Sequence, residues 1–321
     1  MSFPKRIHNK KLTGKHVPLQ PLPRNGTIAV TAPASPPDLE KLNKGVQYLE
    51  SLGYNVEVGK SCYERWDYLA GKDELRAKEL MSFFEAPHID AIFCARGGFG
   101  SLRLLSLLDY ESIRKSRKLF CGFSDITALE WAMYAKSGLC SVSGGMVAID
   151  FGRDHIDPDF EDQFWELMQT GSTDIELSGN TDETGTMTGI ALPGTLTVAS
   201  YLTGSPYFPS LDNKLLIIED IGERRHKIEG YLEHFRLAGA LQNVQCVIFG
   251  TFVPPDAEEY VEVPTLELLH QRTLGRSDIP YFTGLAYGHI AKKISLPLGV
   301  PMLLSYGPSC SLKSQQSIYQ V

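Results

Sequence analysis

Short apolar runs alternate with helical patterns through the first half of this chain. Predicted strands cover residues 27–32, 54–58, 91–95 and 118–121. The segments between them carry apolar residues at helical spacing, which predicts helices over residues 38–52, 73–84 and 102–108. Strands that alternate with helices predict an α/β fold, in which a parallel sheet is covered by helices on both faces.

The pattern changes after residue 150. Residues 151–190 are mostly polar and hold one predicted helix over 159–168, so we expect an interdomain connection there. Beyond it, short apolar pieces and one amphipathic stretch predict a smaller second domain, at residues 195–202, 214–218, 228–240, 244–249 and 302–305. The expected division is an arm at 1–24, a first domain at 25–150, the connection at 151–190 and a second domain at 191–321.

The charge balance argues against a nucleic-acid partner. The chain has 31 basic and 38 acidic side chains, which gives a formal net charge of -7. A nucleic-acid surface requires a clustered basic face instead. The one basic cluster precedes the first predicted strand and is typical of a solvated arm; it consists of Lys5, Arg6, Lys10, Lys11 and Lys15.

The sequence also bears on location and metal content. No stretch approaches the roughly 20 apolar residues of a membrane-spanning helix, and the N-terminus lacks the apolar core of a signal peptide. We therefore expect a cytoplasmic protein with no membrane partner. Because the six cysteines show no CxxC spacing and Cys94, Cys121 and Cys246 lie in apolar runs, we expect buried free thiols. We expect neither a metal nor a cofactor.

Ser124 lies where the fourth predicted strand meets the next predicted helix, over residues 126–135. A serine on such a turn has its hydroxyl lifted out of the sheet, where it can act as a nucleophile. In this interpretation Gly122 lets the backbone turn without a Cβ clash. The backbone amide of Asp125 would then point toward an oxyanion formed beside Ser124.

A helix cap is the alternative interpretation of the same residues. Ser or Asp directly before an apolar periodic run is the commonest N-cap. In addition, Ile126 stands where the hydrolase elbow motif has a glycine, two positions after the serine. The segment from Cys121 to Asp125 leaves both interpretations open.

A glycine-rich loop follows the third predicted strand, at residues 96–100. Because the carboxyl ends of parallel strands meet at one sheet edge, this loop and Ser124 are expected to lie together. The spacing matches neither GxGxxG nor a P-loop, so a nucleotide site is weakly supported. A turn that needs positive φ would explain one of the three glycines more easily than all of them.

Two further side chains stand at the ends of predicted strands in the second domain. Glu219 follows the apolar run 214–218, and His289 follows Gly288 at a strand-to-loop transition. Serine, histidine and carboxylate from separate strand ends would suffice for nucleophilic catalysis. The alternatives are local pairing of Glu219 with Arg224 or Arg225, and a histidine that only hydrogen-bonds a loop.

Taken together, these stretches resemble the L,D-carboxypeptidases, serine peptidases that trim murein peptides, and the related microcin-immunity hydrolases. The resemblance runs from residue 26 to about residue 301. Its motifs are GTIAVTAPASP at 26–36, YLAGKDE at 68–74, RGGFGS at 96–101 with Arg103, GFSDIT at 122–127, LTGSPY at 202–207, IEDIGE at 218–223 and GH at 288–289.

The resemblance implies a mechanism. Ser124 would be the nucleophile, His289 the general base and Glu219 the orienting carboxylate. The backbone amides of Asp125 and Gly98 would form the oxyanion hole. The implied reaction releases terminal D-alanine from murein tetrapeptide through an acyl-enzyme, a step of peptidoglycan recycling.

The resemblance also implies an architecture and a substrate contact. The expected fold is a flavodoxin-like, class I amidotransferase-like N-terminal domain with a swivelling-type β/α C-terminal domain, assembled as a homodimer. The released residue carries a carboxylate, for which Arg96 and Arg103 are the candidate cations.

Two stretches depart from the family pattern, and they leave the substrate open. This chain has Ser143-Gly144-Gly145-Met146 and Pro193-Gly194-Thr195-Leu196 where many members differ. One alternative is hydrolysis of a peptidyl- or aminoacyl-nucleotide amide, for which Trp66 or Trp131 would have to provide an aromatic platform. Alternatives of another class are a non-catalytic peptide-binding protein and a sugar- or amino-acid-binding module.

Overall fold

Two sheets form the framework of the protein. The computed structural model describes residues 16–179, 181–255 and 272–319, so most of the predicted N-terminal arm lies outside the described residues. The first sheet has six strands, and the second has seven. The α/β prediction is confirmed.

The first sheet is parallel except at one edge. Its parallel strands are β1 (Thr27–Thr31), β2 (Asn55–Val58), β3 (Ala91–Cys94), β4 (Leu119–Gly122) and β5 (Ser141–Ser143). Their spatial order, β2-β1-β3-β4-β5, is the flavodoxin-like order, in which ligands bind at the carboxyl ends of the strands. Every residue of β3 and β4 is buried, because helices cover both faces of the sheet.

The helices around this sheet start at an aspartate cap in three cases. They are α1 (Leu39–Ser51), α2 (Asp73–Glu85), α3 (Tyr110–Ser116), α4 (Thr127–Ser137) and α5 (Pro158–Thr170). The carboxylate of Asp38 accepts the Lys41 amide at the start of α1, and α5 has Asp157 as its cap with proline in its first turn.

One predicted helix has a different form. Residues predicted as a helix over 102–108 form a 3-10 helix at Ser101–Leu107, and α3 follows it as a separate helix. The break lies at Asp109, whose side chain accepts the backbone amides of Glu111 and Ser112 and so begins a new helix. Other short helical segments are 3-10 helices at Lys60–Cys62, Ser124–Ile126 and Leu274–Ser277 and a π-helix at Val147–Phe151.

The second sheet is mixed. Its strands are β6 (Asp174–Leu177), β7 (Gly185–Thr195), β8 (Lys214–Ile221), β9 (Cys246–Val253), β10 (Tyr281–Phe282), β12 (Pro301–Tyr306) and β13 (Cys310–Ser314). Their spatial order is β10-β9-β8-β7-β12-β13-β6. Strands β7 to β10 are parallel to one another, whereas β12, β13 and β6 pair antiparallel with their neighbours. Helices α6 (Leu196–Leu202) and α7 (Arg225–Leu237) complete this part of the protein.

The segment predicted as a connection contains more structure than its polarity suggested. Besides α5, it holds β6 and the first half of β7. In β6 only Ile175 and Leu177 are buried, and the polar residues beside them are exposed, so the strand has a polar outer face. The apolar run 195–202 is helix α6.

The second half of the chain returns to the first sheet. Strand β11 (Leu296–Leu298) pairs antiparallel with β5 at the edge of that sheet. The boundaries 25–150, 151–190 and 191–321 therefore remain a proposal about domain organisation.

Helix α4 connects the two sheets. The indole Nε1 of Trp131 donates to the carbonyl oxygen of Pro193 in β7 at 2.8 Å. A Cβ on Gly194 would lie only 2.6 Å from Cγ2 of Thr127, so the end of β7 packs directly on the start of α4. The fold thereby sets the segment after Ser124 against the second sheet.

Two further findings concern the cysteines and the length of the helices. All six cysteines are buried free thiols, as predicted. Within the described ranges, none of the helices is both long and apolar enough to span a bilayer.

Two helical glycines give a matched test of how closely helix α1 packs on the π-helix that begins at Val147. A Cβ on Gly45 in α1 would lie 2.1 Å from the carbonyl oxygen of Val147, whereas a Cβ on Gly230 in α7 has no described atom within 4 Å. We expect Gly45→Ala to lower the free energy of unfolding by about 2 kcal/mol, because backbone must move. Gly230→Ala should raise it by about 0.5–1 kcal/mol through better helix propensity. Urea denaturation measures both, and a change of the same sign in the two variants would contradict the packing described.

Candidate active site

Ser124 occupies a strained turn between β4 and α4. Its φ is 66°, in the left-handed region, which costs a non-glycine residue about 1 kcal/mol or more. Gly122 leaves room for the side chain of Ile126, because a Cβ on Gly122 would lie only 2.4 Å from Cγ2 of Ile126. Neither the 3-10 helix at Ser124–Ile126 nor α4 has a side-chain cap, so the Ser124 hydroxyl is not used as a helix cap.

The Ser124 hydroxyl points toward His289. Nε2 of His289 lies 3.0 Å from Oγ of Ser124, and Nδ1 of His289 lies 2.7 Å from Oε2 of Glu219. An ionised carboxylate can only accept, so His289 donates from Nδ1 and its Nε2 is left to accept from Ser124. The structure thus brings together the three side chains that were predicted to form a triad.

Glu219 is completely buried in β8. Its side chain has 0 % exposure, and its two oxygens accept from His289 and, at 2.6 Å, from Oγ1 of Thr195. Glu219 therefore does not pair locally with Arg224 or Arg225. The register between β8 and β9 shifts between Ile218 and Asp220, and such bulges alter the direction of side chains in a strand.

The ring of His289 rests on buried aromatic residues. Its centroid lies 4.7 Å from that of Phe123, and Phe123 in turn contacts Tyr287 edge-on at 5.4 Å. The carbonyl of Tyr287 accepts the Thr251 amide from β9 at 2.7 Å. Gly288 has a φ of 154°, and a Cβ there would lie 2.8 Å from the carbonyl oxygen of Thr251. Only glycine lets this loop approach β9 so closely.

The glycine loop lies beside Ser124, as predicted from the sheet topology. A Cβ on Gly97 would lie 2.8 Å from Cβ of Ser124, and Gly98 has a φ of 108°. Oδ2 of Asp125 accepts the Ser101 amide at 2.8 Å and so ties this loop to the serine turn. The carboxyl of Asp125 is buried, and the loss of hydration raises its pKa. No acceptor among residues 16–179, 181–255 and 272–319 takes the Gly98 or Asp125 amide hydrogen.

The two predicted substrate-binding arginines differ in their surroundings. Arg103 makes an ion pair with Asp73, with its Nη2 2.7 Å from Oδ2, and the same carboxylate also pairs with buried Arg76. Arg96 is half-buried in the glycine loop. One of its nitrogens donates to the carbonyl of Pro36 at 3.3 Å, while its Nε has no hydrogen-bond partner among the described residues.

Several polar residues around the site were not predicted to contribute. Thr195 contacts Glu219, and Oγ of Ser143 lies 2.8 Å from the hydroxyl of Tyr287. Ser143 and Thr195 are the positions noted above as departures from the family pattern. Their contacts link strands that are far apart in sequence, so periodicity gave no signal for them.

Asp220 has a structural role next to Glu219. Its Oδ2 accepts both the backbone amide and the hydroxyl of Thr197, at 2.8 and 2.6 Å, and so caps α6. Burial raises the pKa of Asp220 to about 6. The neighbouring carboxylate of Glu219 acts in the same direction.

The described part of the chain holds no cluster of three or more His, Cys, Asp or Glu side chains arranged to bind a metal ion. Serine, histidine and carboxylate in hydrogen-bonded series are instead the groups of nucleophilic catalysis.

Comparisons with known proteins agree with the geometry. Two family models match the chain, the LD-carboxypeptidase N-terminal domain over residues 28–144 and the LD-carboxypeptidase C-terminal domain over residues 188–304. The chain is 33% identical over 284 residues to "Probable murein peptide carboxypeptidase" of Bacillus subtilis (strain 168), which covers 87% of this chain and 88% of the relative.

Solved structures are similar over nearly the whole length. The muramoyltetrapeptide carboxypeptidase from Oxalobacter formigenes superimposes with a TM-score of 0.83 and 28% identity, covering 91% of this chain and 99% of its own. MccF in complex with glutamyl sulfamoyl guanosine gives a TM-score of 0.85 over 94% and 99% of the two chains. At 23% identity, that likeness supports the fold alone.

The raised pKa of Asp220 predicts a pH-dependent stability. The folded protein holds this proton up to about pH 6, whereas the unfolded chain, with the ordinary value of 3.8, releases it earlier. Between these values the unfolded state binds fewer protons, so stability falls as pH rises. Relative to Asp220→Asn, the wild type should lose roughly 2 kcal/mol between pH 4 and pH 7. Urea denaturation at both pH values measures this, and equal pH dependence in the two proteins would contradict it.

Proposed function

The chain belongs to the LD-carboxypeptidase family, and we propose that it is a serine-type L,D-carboxypeptidase that releases terminal D-alanine from murein tetrapeptide. Membership of this family makes it a hydrolase. The observation that carries the finer proposal is the continuous series of hydrogen bonds from Ser124 through His289 to buried Glu219. The names of the relatives from Bacillus subtilis and Oxalobacter formigenes support a murein peptide as the substrate.

In the proposed reaction, Oγ of Ser124 attacks the scissile carbonyl carbon. Nε2 of His289 takes the hydroxyl proton and then gives it to the leaving amine of D-alanine. The product of this step is an acyl-enzyme on Ser124. Water attacks that ester with His289 as general base, and the serine is regenerated. Glu219 keeps Nδ1 of His289 protonated throughout and stabilises the imidazolium.

The backbone amides of Gly98 and Asp125 are the proposed oxyanion hole. Asp125 directly follows Ser124, and Gly98 follows Gly97, which approaches Ser124; neither amide hydrogen is taken by another described residue. Preorganised amides of this kind stabilise the charge that develops on the carbonyl oxygen.

The carboxylate of the D-alanine residue requires a cation. Arg96 and Arg103 are both proposed, and their surroundings favour Arg96. The guanidinium of Arg103 already makes an ion pair with Asp73, whereas Nε of Arg96 lacks a partner among the described residues.

Replacement of the nucleophile tests the mechanism. Ser124→Ala should lower kcat on murein tetrapeptide by about a thousandfold or more, because the attacking oxygen is lost. The melting temperature should change little, since the hydroxyl does not cap a helix. Ser112→Ala, the same change in α3 outside the candidate site, should keep full activity. D-alanine release measures the rates, and wild-type turnover by Ser124→Ala would refute the triad.

A second candidate substrate, a peptidyl- or aminoacyl-nucleotide amide, is favoured by one observation. Tyr68 and Phe99 are exposed beside the glycine loop, with ring centroids 5.7 Å apart, and could stack on a base. Trp66 is also exposed. Trp131 is fully buried and is not available as a platform.

Parallel incubations separate the two substrates. We expect D-alanine release from murein tetrapeptide and no hydrolysis of an acyl-sulfamoyl adenylate by the same enzyme. The reverse result would assign the nucleotide conjugate. Binding of either compound without turnover would favour a non-catalytic peptide-binding protein.

The resemblance further supports a homodimer in the cytoplasm, with no nucleic-acid or membrane partner. Light scattering tests the assembly, and cell fractionation tests the location. A monomer, or a membrane-associated protein, would refute the corresponding part of this proposal.

A further inference from the structure

Thr195 stands at the start of α6 but does not cap it. Threonine at an N-cap normally accepts a backbone amide of the first turn. Here the N-cap of α6 makes no such bond, and Oγ1 of Thr195 donates to Oε1 of Glu219 at 2.6 Å. Asp220 caps α6 instead, because its carboxylate accepts the backbone amide of Thr197. The Thr195 hydroxyl is therefore committed to Glu219.

The same residue also reaches the helix that follows Ser124. The backbone amide of Thr195 donates to Oγ1 of Thr127 at 3.0 Å, and the amide of Thr127 donates to the carbonyl oxygen of Ser124. With the bonds from Ser124 to His289 and from His289 to Glu219, this closes a ring of hydrogen bonds. The ring joins the segment that follows β4 of the first sheet to strands β7 and β8 of the second.

We propose that Thr195 is a positioning residue, which fixes the Glu219 carboxylate so that His289 faces Ser124. This inference rests on the proposed function. Glu219 is fully buried, so an oxygen without a donor would be left unsolvated. Thr195 binds one oxygen of the Glu219 carboxylate, Oε1. The carboxylate is thereby fixed in one orientation, and its other oxygen, Oε2, faces His289. The β7–β8 register, which pairs Thr195 with Glu219, sets the two side chains side by side.

The test uses variants that keep the backbone amide. Thr195→Val has nearly the same shape without the hydroxyl, and Thr195→Ser restores the donor. Thr197→Val is the matched control, because it removes a threonine–carboxylate bond of the same 2.6 Å length that points to Asp220 instead. Initial rates of D-alanine release from murein tetrapeptide are measured from pH 5 to pH 9.

Thr195→Val should lower kcat by about tenfold to a hundredfold with KM within about twofold, because only the orientation of the general base is lost. The acidic limb of kcat/KM reports the general base of the free enzyme. It should shift, because a Glu219 carboxylate that has lost the Thr195 donor interacts differently with His289. Thr195→Ser and Thr197→Val should stay within about threefold of wild type, with an unshifted profile.

Three results would overturn the inference: Thr195→Val with near-wild-type kcat, equal losses in Thr195→Val and Thr197→Val, or a loss without a shift in the pH profile. If Thr195→Val does not fold, Thr195→Ala replaces it, because water beside the smaller side chain would solvate the Glu219 carboxylate without holding it in one orientation. A lower kcat at unchanged KM is then required. Active Ser124→Ala would refute the proposed function itself. Inactive Ser124→Ala with fully active Thr195→Val would refute only the role of Thr195.

Discussion

The buried carboxylate of Glu219 is the group around which the site is organised. A charge with no access to water destabilises a protein unless donors surround it. Its donors are the His289 ring and the Thr195 hydroxyl, both from the second half of the chain. Their positions depend on the second sheet, where β7 lies beside β8 and the His289 loop packs on β9.

The first sheet positions the remaining side chain of the candidate site, Ser124. Ser124 is held in a strained conformation at the end of β4, beside a glycine loop that a larger side chain would push away. Helix α4 then carries the chain to the end of β7, where Trp131 donates to Pro193. Because Ser124 follows a strand of the first sheet and the His289 loop packs on the second, their 3.0 Å separation exists only when the two sheets are packed together.

Local sequence patterns predicted much of the fold and of the candidate site. Apolar runs and helical spacing identified the parallel sheet, and sheet topology placed the glycine loop beside Ser124. The patterns missed α3, β5, β6, β11 and β13, which are short or polar on one face and are stabilised by tertiary contacts. Apolar periodicity also could not distinguish the 3-10 helix at Ser101–Leu107 from an α-helix, because the distinction arises from backbone bonding and the cap at Asp109.

The sequence by itself determined the fold class, the family and the chemical types of Ser124, Glu219 and His289, because strand and helix periodicity and motif order are properties of short segments. The tertiary structure decided which partners these residues have. Glu219 could have paired with a nearby arginine, and Ser124 could have capped its helix. Hydrogen bonds between residues 70 and 165 positions apart exclude both outcomes, and such contacts depend on how the sheets pack.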